Sequence, residues 1–341
     1  MKAPPDLPFA SAMIVVRNER DMIGQCLDSL LNQDYPKDRY EVIVIDGMSD
    51  DGTLEAVRER CGKLPRVHIL SNPKRSLAAG WNLGVRAAEA EYVVRLDAHA
   101  AAAPDFLRRS VKALLDRPDV ACVGGSMETR ATSRLGQAIA DVLSSPFGVG
   151  DSRFRTSRRA QYVDTVAFGL YRRRLLLELG GFNEEMKRNQ DLEMHARVRR
   201  VGWRFYLDPS IRTIYYARSS LRSFLTQAWQ NGWWNILTLV RDREAVSVRH
   251  LVPLAFVAFL LTTGTGALLW RPLLYPLGAV LSVYLLLGCT ASLRGSRSLG
   301  VVALKPALFL TLHGAYGAGS LACILRVLVA GSSFETQGGV S

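Results

Sequence analysis

The stretch YVVRLDAHAA, residues 92–101, places two side chains that can bind a metal ion directly after an apolar run. Asp97 and His99 are separated by one small residue, and in an extended segment residues two apart point to the same face. A carboxylate and an imidazole together suit Mn²⁺, whereas Mg²⁺ prefers oxygen ligands. Because two ligands do not complete a metal shell, the oxygens of a diphosphate could supply the rest. The alternative is structural, with Asp97 capping a helix and His99 facing solvent.

The turn DGMSDDGT, residues 46–53, supplies several oxygen atoms just before a predicted helix. The carboxylate of Asp46 could accept a hydrogen bond from the imide of a nucleobase, and Gly47 leaves room for the base to approach. The same turn could equally be a helix cap, with Thr53 as the capping residue. No GxGxxG or GxxxxGKS motif opens a predicted helix, so the sequence does not support a dinucleotide site or a P-loop.

A third carboxylate, Asp191, lies in the segment NQDLEMHARVRR, residues 189–200, whose apolar residues have helical spacing. A negative charge at the N-terminus of a helix is stabilised by the helix dipole. Asp191 is therefore expected to stay ionised at neutral pH, where it could take a proton from a sugar hydroxyl. A helix cap without a catalytic role is the alternative.

The elements that must position these side chains form a repeating pattern of short apolar runs, each followed by a segment with helical spacing. The runs are Ala12–Val16, Glu41–Ile45, Arg66–Leu70 and Tyr92–Leu96, and the predicted helices are Met22–Leu31, Thr53–Arg60, Leu77–Ala88 and one opening at Pro104. This pattern predicts a Rossmann-like α/β domain with a mostly parallel sheet. Ligands of such sheets bind at the carboxyl ends of the strands, where the four polar clusters at 17–19, 46–51, 72–75 and 97–99 fall. We therefore predict one shared pocket.

The apolar residues are concentrated after His250. Only five of the 43 Lys and Arg residues, and one of the 31 Asp and Glu residues, lie beyond it. Three stretches there, Leu251–Trp270, Leu273–Ala291 and Pro306–Leu328, approach or exceed the roughly 20 apolar residues that a membrane-spanning helix needs. The basic loop at 292–305, which includes Arg297, predicts a cytoplasmic location for that loop and for residues 1–250. Three crossings would leave the C-terminus outside. A hairpin of buried soluble helices is the alternative.

Trp229, Trp233 and Trp234 lie just before the first apolar stretch, together with arginines at positions 218, 222, 241 and 243. Because these residue types concentrate at membrane interfaces, we expect an amphipathic helix on the membrane surface. The expected organisation is a soluble domain at 1–217, an interface segment at 218–250, a membrane region of about three helices at 251–330 and a tail at 331–341. The N-terminus shows no signal-peptide pattern, and the five cysteines lack CxxC spacing, which predicts free thiols.

Six stretches together resemble the family 2 GT-A glycosyltransferases, in particular the succinoglycan-biosynthesis ExoA-like group. They are VVRNER, VIDGMSDDGT, RLDAHA, PFGVGDSRFR, VDTVAFGLYRR and GGFNEEMKRNQDLEMHARVRR, and the resemblance covers about residues 10–215. It implies a GT-A fold and an inverting, metal-dependent transfer of a sugar, glucose or a related one, from a UDP-linked donor such as UDP-glucose. The implied acceptor is a polyprenyl-diphosphate-linked saccharide at the cytoplasmic face of the inner membrane, in exopolysaccharide or cell-surface glycan synthesis.

The resemblance also implies a role for each matching residue. The residues implied to bind the nucleotide sugar are Val16, Arg17, Glu19, Asp46, Arg75 and Asp97, with Asp46 at the base. Asp97 and His99 stand at the DxD metal motif, which implies Mn²⁺ or Mg²⁺, and Asp191 stands at the catalytic base. The sequence departs from the family pattern at His99, where a carboxylate is usual, and at Gln190, where Glu is common. The QxxRW element of processive relatives is also missing, so processive synthesis is not expected.

Other functions remain compatible with parts of the sequence. A polyprenyl-phosphate sugar transferase would use the same donor site, and a membrane scaffold of a polysaccharide assembly complex would use no catalytic residue. The stretch RFRTSRR, residues 153–159, could cover the donor diphosphate, bind an acceptor phosphate or be a solvated loop. Nucleic-acid binding is not expected, because the isoelectric point near 9.8 is the only feature in its favour and no basic stripe with interleaved aromatic residues occurs.

Overall fold

The computed structural model of the protein describes residues 7–217, 220–295 and 298–330. Arg218, Arg297 and the expected C-terminal tail at 331–341 lie outside the described residues. The chain divides into two compact units. The first contains residues 1–128 and 157–216, and the second contains residues 129–156 and 217–341. All five cysteines are free thiols, as predicted.

Nine strands and thirteen α-helices are formed by the described residues. The strands are β1 (Ala10–Val16), β2 (Tyr40–Asp46), β3 (Val67–Ser71), β4 (Tyr92–Asp97), β5 (Ala100–Ala102), β6 (Val120–Arg130), β7 (Gln161–Val163), β8 (Leu170–Arg172) and β9 (Arg204–Tyr216). The helices are α1 (Arg20–Leu31), α2 (Thr53–Cys61), α3 (Leu77–Ala87), α4 (Phe106–Leu115), α5 (Arg134–Leu143), α6 (Pro146–Val149), α7 (Arg153–Thr156), α8 (Arg173–Glu178), α9 (Gln190–Arg200), α10 (Leu221–Arg241), α11 (Val252–Leu269), α12 (Leu274–Ser292) and α13 (Leu299–Ala330).

The parallel part of the sheet is formed by the four predicted strands, in the order β3-β2-β1-β4. All seven residues of β2 are buried, which explains its continuous apolar run. The predicted helices between these strands are present. The helix expected to open at Pro104 begins instead at Phe106, because the amide of Phe106 first closes a turn onto the carbonyl of Ala103 at 3.0 Å.

Beyond β4 the sheet continues through antiparallel pairs. β8 pairs with both β4 and β6, and β9 pairs with β5 and β7. Apolar residues from this half and from the parallel half, among them Met13, Ile43, Tyr171 and Phe205, share one core cluster with Met194 of α9. The shared core holds α9 against the sheet, which fixes the position of Asp191.

The second unit consists of helices. Three of its helical segments, Val248–Leu269, Arg271–Ser292 and Leu299–Val329, are long and apolar enough to cross a membrane. They match the three apolar stretches predicted from the sequence. The interface segment forms α10, which has Trp234 buried and Trp229 exposed. The arginine-rich stretch begins with the four-residue helix α7.

Candidate active site

An open cavity of about 220 Å³ lies at the carboxyl ends of β1 and β4. Six of the eight predicted site residues line it. They are Val16, Arg17, Glu19, Arg75, Asp97 and His99. The parallel register explains the convergence, because it aligns Asp46 with Val16 and Asp97 with Val15. Asp46 and Asp97 therefore end strands on either side of β1, which puts their backbones about 10 Å apart at the usual strand spacing.

The wall of the cavity that follows β1 and β2 is held together by hydrogen bonds between two turns. The side-chain amide of Asn18 donates to Asp50 at 2.8 Å, and the backbone amide of Asp50 donates to the Asn18 side-chain oxygen at 3.1 Å. Asn18, Met48 and Arg75 adopt positive φ values of 53°, 62° and 52°, which direct the chain sharply from strand to helix. The turns therefore form a fixed edge around the cavity.

Asp46 lies directly behind this edge and is 5% exposed. It is not one of the cavity-lining residues, although Gly47 next to it is. The Asp46 carboxylate accepts a hydrogen bond from the Ser49 amide at 3.2 Å, and the Asp46 carbonyl accepts one from the Asn72 amide at 2.7 Å. The structure thus places Asp46 within the turn that borders the cavity.

Asp97, His99 and Glu19 form an acidic corner of the cavity. His99 Nδ1 lies 3.3 Å from Glu19 Oε1, and the His99 ring packs edge-on against Tyr215 with the ring centres 5.0 Å apart. Burial raises the pKa of the Asp97 carboxyl, and the nearby His99 and Arg95 oppose this only in part. A carboxylate whose ionised form is disfavoured by burial would be stabilised by an adjacent cation.

The ligands available here fit a divalent cation only in part. Throughout the described residues, no group of three or more His, Cys, Asp or Glu side chains is arranged to hold a metal ion alone. Asp97 and His99 supply one carboxylate and one imidazole, so a cation at this corner would need further ligands from a bound molecule. The oxygens of a diphosphate have the right chemistry for Mn²⁺ or Mg²⁺.

Asp191 lies in the first turn of α9, as predicted, but does not line the cavity. One carboxylate oxygen accepts a hydrogen bond from the Leu192 amide at 2.9 Å, and the other pairs with Arg95 Nη2 at 3.1 Å. Burial raises the pKa of Asp191, but Arg95 and then His195 lower it by more, so the net pKa is below the ordinary value for an aspartate. The carboxylate is therefore ionised at neutral pH.

Arg95 interacts with both Asp97 and Asp191, and it was not among the predicted site residues. Its side chain is 7% exposed and points to the same face of β4 as Asp97. The guanidinium carbon lies 4.0 Å from the centre of the Trp81 ring. Its Nε has no hydrogen-bond partner among the described atoms. A charged residue inside an apolar strand was the available signal, because burial of an arginine requires a partner.

His195 and Asn72 are two further polar residues that were not among the predicted site residues. His195 is fully buried between the hydroxyls of Thr165 and Tyr171, at 2.8 Å and 2.7 Å, and burial lowers its pKa to about 3. This neutral imidazole anchors α9 one turn after Asp191. Asn72 lines the cavity, is 1% exposed and has a side-chain oxygen without a hydrogen-bond partner in the described structure. Its position directly after β3 was the available signal.

Comparisons with known proteins agree with the predicted fold and family resemblance. The family model described as "Glycosyl transferase family 2" matches residues 11–180. A dolichyl N-acetyl-alpha-D-glucosaminyl phosphate 3-beta-D-2,3-diacetamido-2,3-dideoxy-beta-D-glucuronosyltransferase from Methanococcus voltae is 30% identical over 248 residues, which are 68% of this chain and 77% of the relative. The succinoglycan biosynthesis protein ExoA of Rhizobium meliloti is 29% identical over 255 residues, 73% of this chain and 76% of the relative.

Among solved structures, the mannosyltransferase PcManGT from Pyrobaculum calidifontis, in complex with GDP-Man and Mn²⁺, superposes with a TM-score of 0.57. The match covers 98% of this chain and 89% of that structure, with 20% sequence identity. At this identity the likeness concerns the fold alone. The α/β fold predicted from the sequence, of the GT-A type and followed by apolar C-terminal helices, is confirmed.

Proposed function

The chain belongs to glycosyl transferase family 2, and on that premise we propose that it transfers one sugar, with inversion, from a nucleotide-diphosphate sugar to a lipid-linked saccharide. The observation that carries the proposal is the convergence of six of the eight predicted site residues, five for the donor and one for the cation, on one cavity at the strand ends. A carboxylate suited to act as a base, Asp191, pairs with the buried Arg95, which precedes the cavity-lining Asp97 by two residues on β4.

In this proposal the donor nucleotide binds along the turns that follow β1, β2 and β3. Val16, Arg17 and Glu19 line the nucleotide end, Asp46 contacts the base, and Arg75 approaches the nucleotide. We add Asn72, because its unpartnered side-chain oxygen could accept a hydrogen bond from an N–H of the donor. We propose a UDP-linked donor carrying glucose. The structure of PcManGT contains GDP-Man, so experiments should vary both the nucleotide and the sugar of the donor.

We assign the cation to Asp97 and His99, with Mn²⁺ or Mg²⁺ as candidates. When bound, a divalent cation would neutralise the negative charge that develops on the departing nucleotide diphosphate. The protein's part is to hold the Asp97 carboxylate and the His99 imidazole on one face of the chain, with Glu19 next to the imidazole. The Mn²⁺ complex of PcManGT is compatible with this assignment.

We assign the role of general base to Asp191. The acceptor hydroxyl oxygen attacks the anomeric carbon of the donor sugar, the bond from that carbon to the diphosphate oxygen breaks, and Asp191 accepts the hydroxyl proton. The transition state has oxocarbenium character, as in glycoside hydrolysis. A single displacement of this kind inverts the anomeric centre.

We propose that the acceptor is a polyprenyl-diphosphate-linked saccharide and that transfer occurs at the cytoplasmic face of the inner membrane. The Methanococcus voltae relative is named for a dolichyl-phosphate-linked sugar, and ExoA is named for polysaccharide synthesis. In this proposal residues 1–217 form the catalytic domain, residues 218–250 contact the membrane surface, and residues 251–330 anchor the chain.

The direct test is a donor screen with the purified full-length chain. UDP- and GDP-linked sugars are offered with Mn²⁺, Mg²⁺ or a chelator, with and without a polyprenyl-linked lipid extract, and the release of nucleoside diphosphate is measured. We expect release with one donor class that needs both the cation and the lipid. A parallel Asp191→Asn preparation controls for contaminating enzymes. Absence of release with every donor and lipid would contradict the proposal and favour a scaffold.

Replacing Asp97 with alanine is expected to remove the part of donor binding that depends on the cation. Loss of a direct ligand should cost at least as much affinity as loss of an outer-shell partner, which is about 10- to 100-fold. The measurement is calorimetric titration of the nucleotide with and without Mn²⁺. Asp105→Ala is the control, because Asp105 pairs with Arg109 outside the cavity. An unchanged effect of Mn²⁺ in Asp97→Ala would overturn the ligand assignment.

A further inference from the structure

The two ends of α10 provide the first constraint on how the second unit meets a membrane. α10 follows β9 of the first unit, and its last residue, Arg241, is followed by the charged residues 242–244. Arg249, just before α11, donates a hydrogen bond to the carbonyl of Asp151, which belongs to the segment between β6 and β7. Phe224 shares an apolar cluster with α5, so both ends of α10 lie beside the segment between β6 and β7. Since charged residues are costly inside a bilayer, α10 does not cross it.

The beginning of α13 lies on the same side of the membrane as the segment between β6 and β7. The Lys305 side chain is 1% exposed, and its Nζ lies 2.5 Å from the Asp141 carboxylate and 2.6 Å from the Arg294 carbonyl. Asp141 is part of α5, which also lies between β6 and β7. Position 305 is therefore at the membrane face where α11 enters.

The depth reached by the rest of α13 can be read from its neighbours. Gly317 lies twelve residues after Lys305, about 18 Å along a helix. A crossing helix would place Gly317 beside the middle of α11. Instead, an added Cβ at Gly317 would lie 2.2 Å from the Pro253 carbonyl and 2.5 Å from Val257, in the first turns of α11. Further along, Cys323 packs in one cluster with Leu251 and Leu254. α13 thus remains at the entrance of α11.

Contacts with α10 show the direction in which α13 runs. The two backbones approach closely at Gly232, where an added Cβ would lie 1.9 Å from the Tyr316 carbonyl, and at Gly319, where it would lie 2.2 Å from the Trp229 carbonyl. Ser320 donates a hydrogen bond to the Gly232 carbonyl at 3.1 Å. Earlier residues of the two helices share one apolar cluster and later residues share another, so the helices run side by side in the same direction.

The outer faces of these helices are apolar. On α10, Leu221, Leu225 and Trp229 are exposed at intervals of four residues, which places them on one face. On α13, Leu304, Leu310, Leu325 and Leu328 are exposed, whereas Lys305 and Ser320 are buried. Two polar side chains of α13 are thus buried while these four leucines are exposed, a distribution that suits contact with lipid.

From these contacts we infer that only α11 and α12 cross the bilayer, and that α13 lies beside α10 in the plane of the membrane surface on the side of the segment between β6 and β7. The outer apolar faces of α10 and α13 contact lipid at the boundary between the headgroups and the acyl chains of that leaflet. This lipid is continuous with the lipid around α11 and α12. The end of α13 is then on the same side of the membrane as the segment between β6 and β7. Composition alone favoured three crossings, because hydropathy does not record which neighbours a helix has.

The test is the accessibility of the C-terminus. A single cysteine is added after Ser341 of the full-length chain, and a membrane-impermeant maleimide is applied to intact cells and to permeabilised cells. Arg271→Cys, in the turn between α11 and α12, marks the outside, and Glu244→Cys marks the opposite side, where the segment between β6 and β7 lies. The unmodified chain measures labelling of the native cysteines. We expect the added cysteine to behave like Glu244→Cys. Labelling in intact cells, as for Arg271→Cys, would overturn the inference.

A second measurement tests the depth of α13 itself. Leu310 of α13 and Leu261 of α11 are similarly exposed, at 43% and 50%. Lysine at 310 should reach the aqueous surface, whereas lysine at 261 would be held in the bilayer core. We expect a several-fold loss of membrane-inserted protein for Leu261→Lys and almost none for Leu310→Lys. Equal losses would contradict the in-plane position. Neither measurement uses enzymatic activity, so both stand apart from the proposed transfer reaction.

Discussion

Asp191→Asn is expected to remove almost all sugar transfer while leaving donor binding intact. The amide has nearly the same shape as the carboxylate, and its single oxygen can keep one of the two hydrogen bonds that the carboxylate accepts, from the Leu192 amide or from Arg95. It cannot take a proton from the acceptor hydroxyl. General-base assistance contributes about 10²- to 10⁴-fold to rates, and we expect a loss of that size in the turnover number. Transfer to the lipid acceptor and nucleotide affinity are measured on the same preparation.

Glu193→Gln is the matched control for this variant. Glu193 lies in the same helix and pairs with Arg197 at 2.7 Å, so the variant removes a charge from α9 without touching the proposed base. We expect near-normal transfer from it. A normal rate in Asp191→Asn would refute the assignment of Asp191. A small loss would favour a polyprenyl-phosphate acceptor, because an acceptor that is already an anion needs little help from a base.

The parallel half of the fold could be predicted from the sequence because its physical causes are local. The strand β2 is buried at every position and therefore reads as an uninterrupted apolar run, and parallel strands bring their carboxyl ends to one edge. That rule alone predicts that Val16, Asp97 and His99 lie at the same edge of the sheet. Asp191 could be placed at a helix start, but its distance from the cavity depends on how α9 packs on the antiparallel half. No sequence pattern reports that packing.

Arg95 and Asn72 show why the rest of the site was not predicted. The partners of Arg95 are Trp81 on α3 and Asp191 on α9, and nothing in the stretch around residue 95 indicates either one. Asn72 belongs to a recognised polar turn, but only coordinates show that its side-chain oxygen is buried without a partner. The contacts of the segment at 129–156 could not be predicted either, because Asp141 pairs with Lys305, which is far away in the chain.

The position of Arg95 also affects the charge of two carboxylates. Asp191 raises the pKa of Asp97, whereas the Arg95 guanidinium lowers the pKa of both, with the result that the pKa of Asp191 falls below its ordinary value and that of Asp97 does not. The stacking of Arg95 on Trp81 fixes the guanidinium without using its hydrogen-bond donors. Arg95 is thus a positioning residue, which orients Asp191 and stabilises its charged form.

Arg95→Met is therefore expected to lower the turnover number by about 10²-fold, the cost of a displacement of roughly 1 Å in a catalytic group. The Michaelis constant for the donor should change little, because Arg95 does not line the cavity. The pH profile should also move. Arg95 lowers the pKa of Asp191, so its removal raises that pKa, and the ionised base is lost at a higher pH on acidification. The acid limb of the rate profile should shift upward.

Arg95→Lys separates charge from geometry. Lysine keeps a positive charge near Asp191, so the acid limb should stay near the wild-type position. It has no planar group to stack on Trp81 or to hold the carboxylate, so the rate should recover only in part. Thermal unfolding of both variants identifies any general loss of structure, which would change the active fraction without moving the acid limb. A wild-type rate and profile in Arg95→Met would show that Asp191 is positioned by α9 alone.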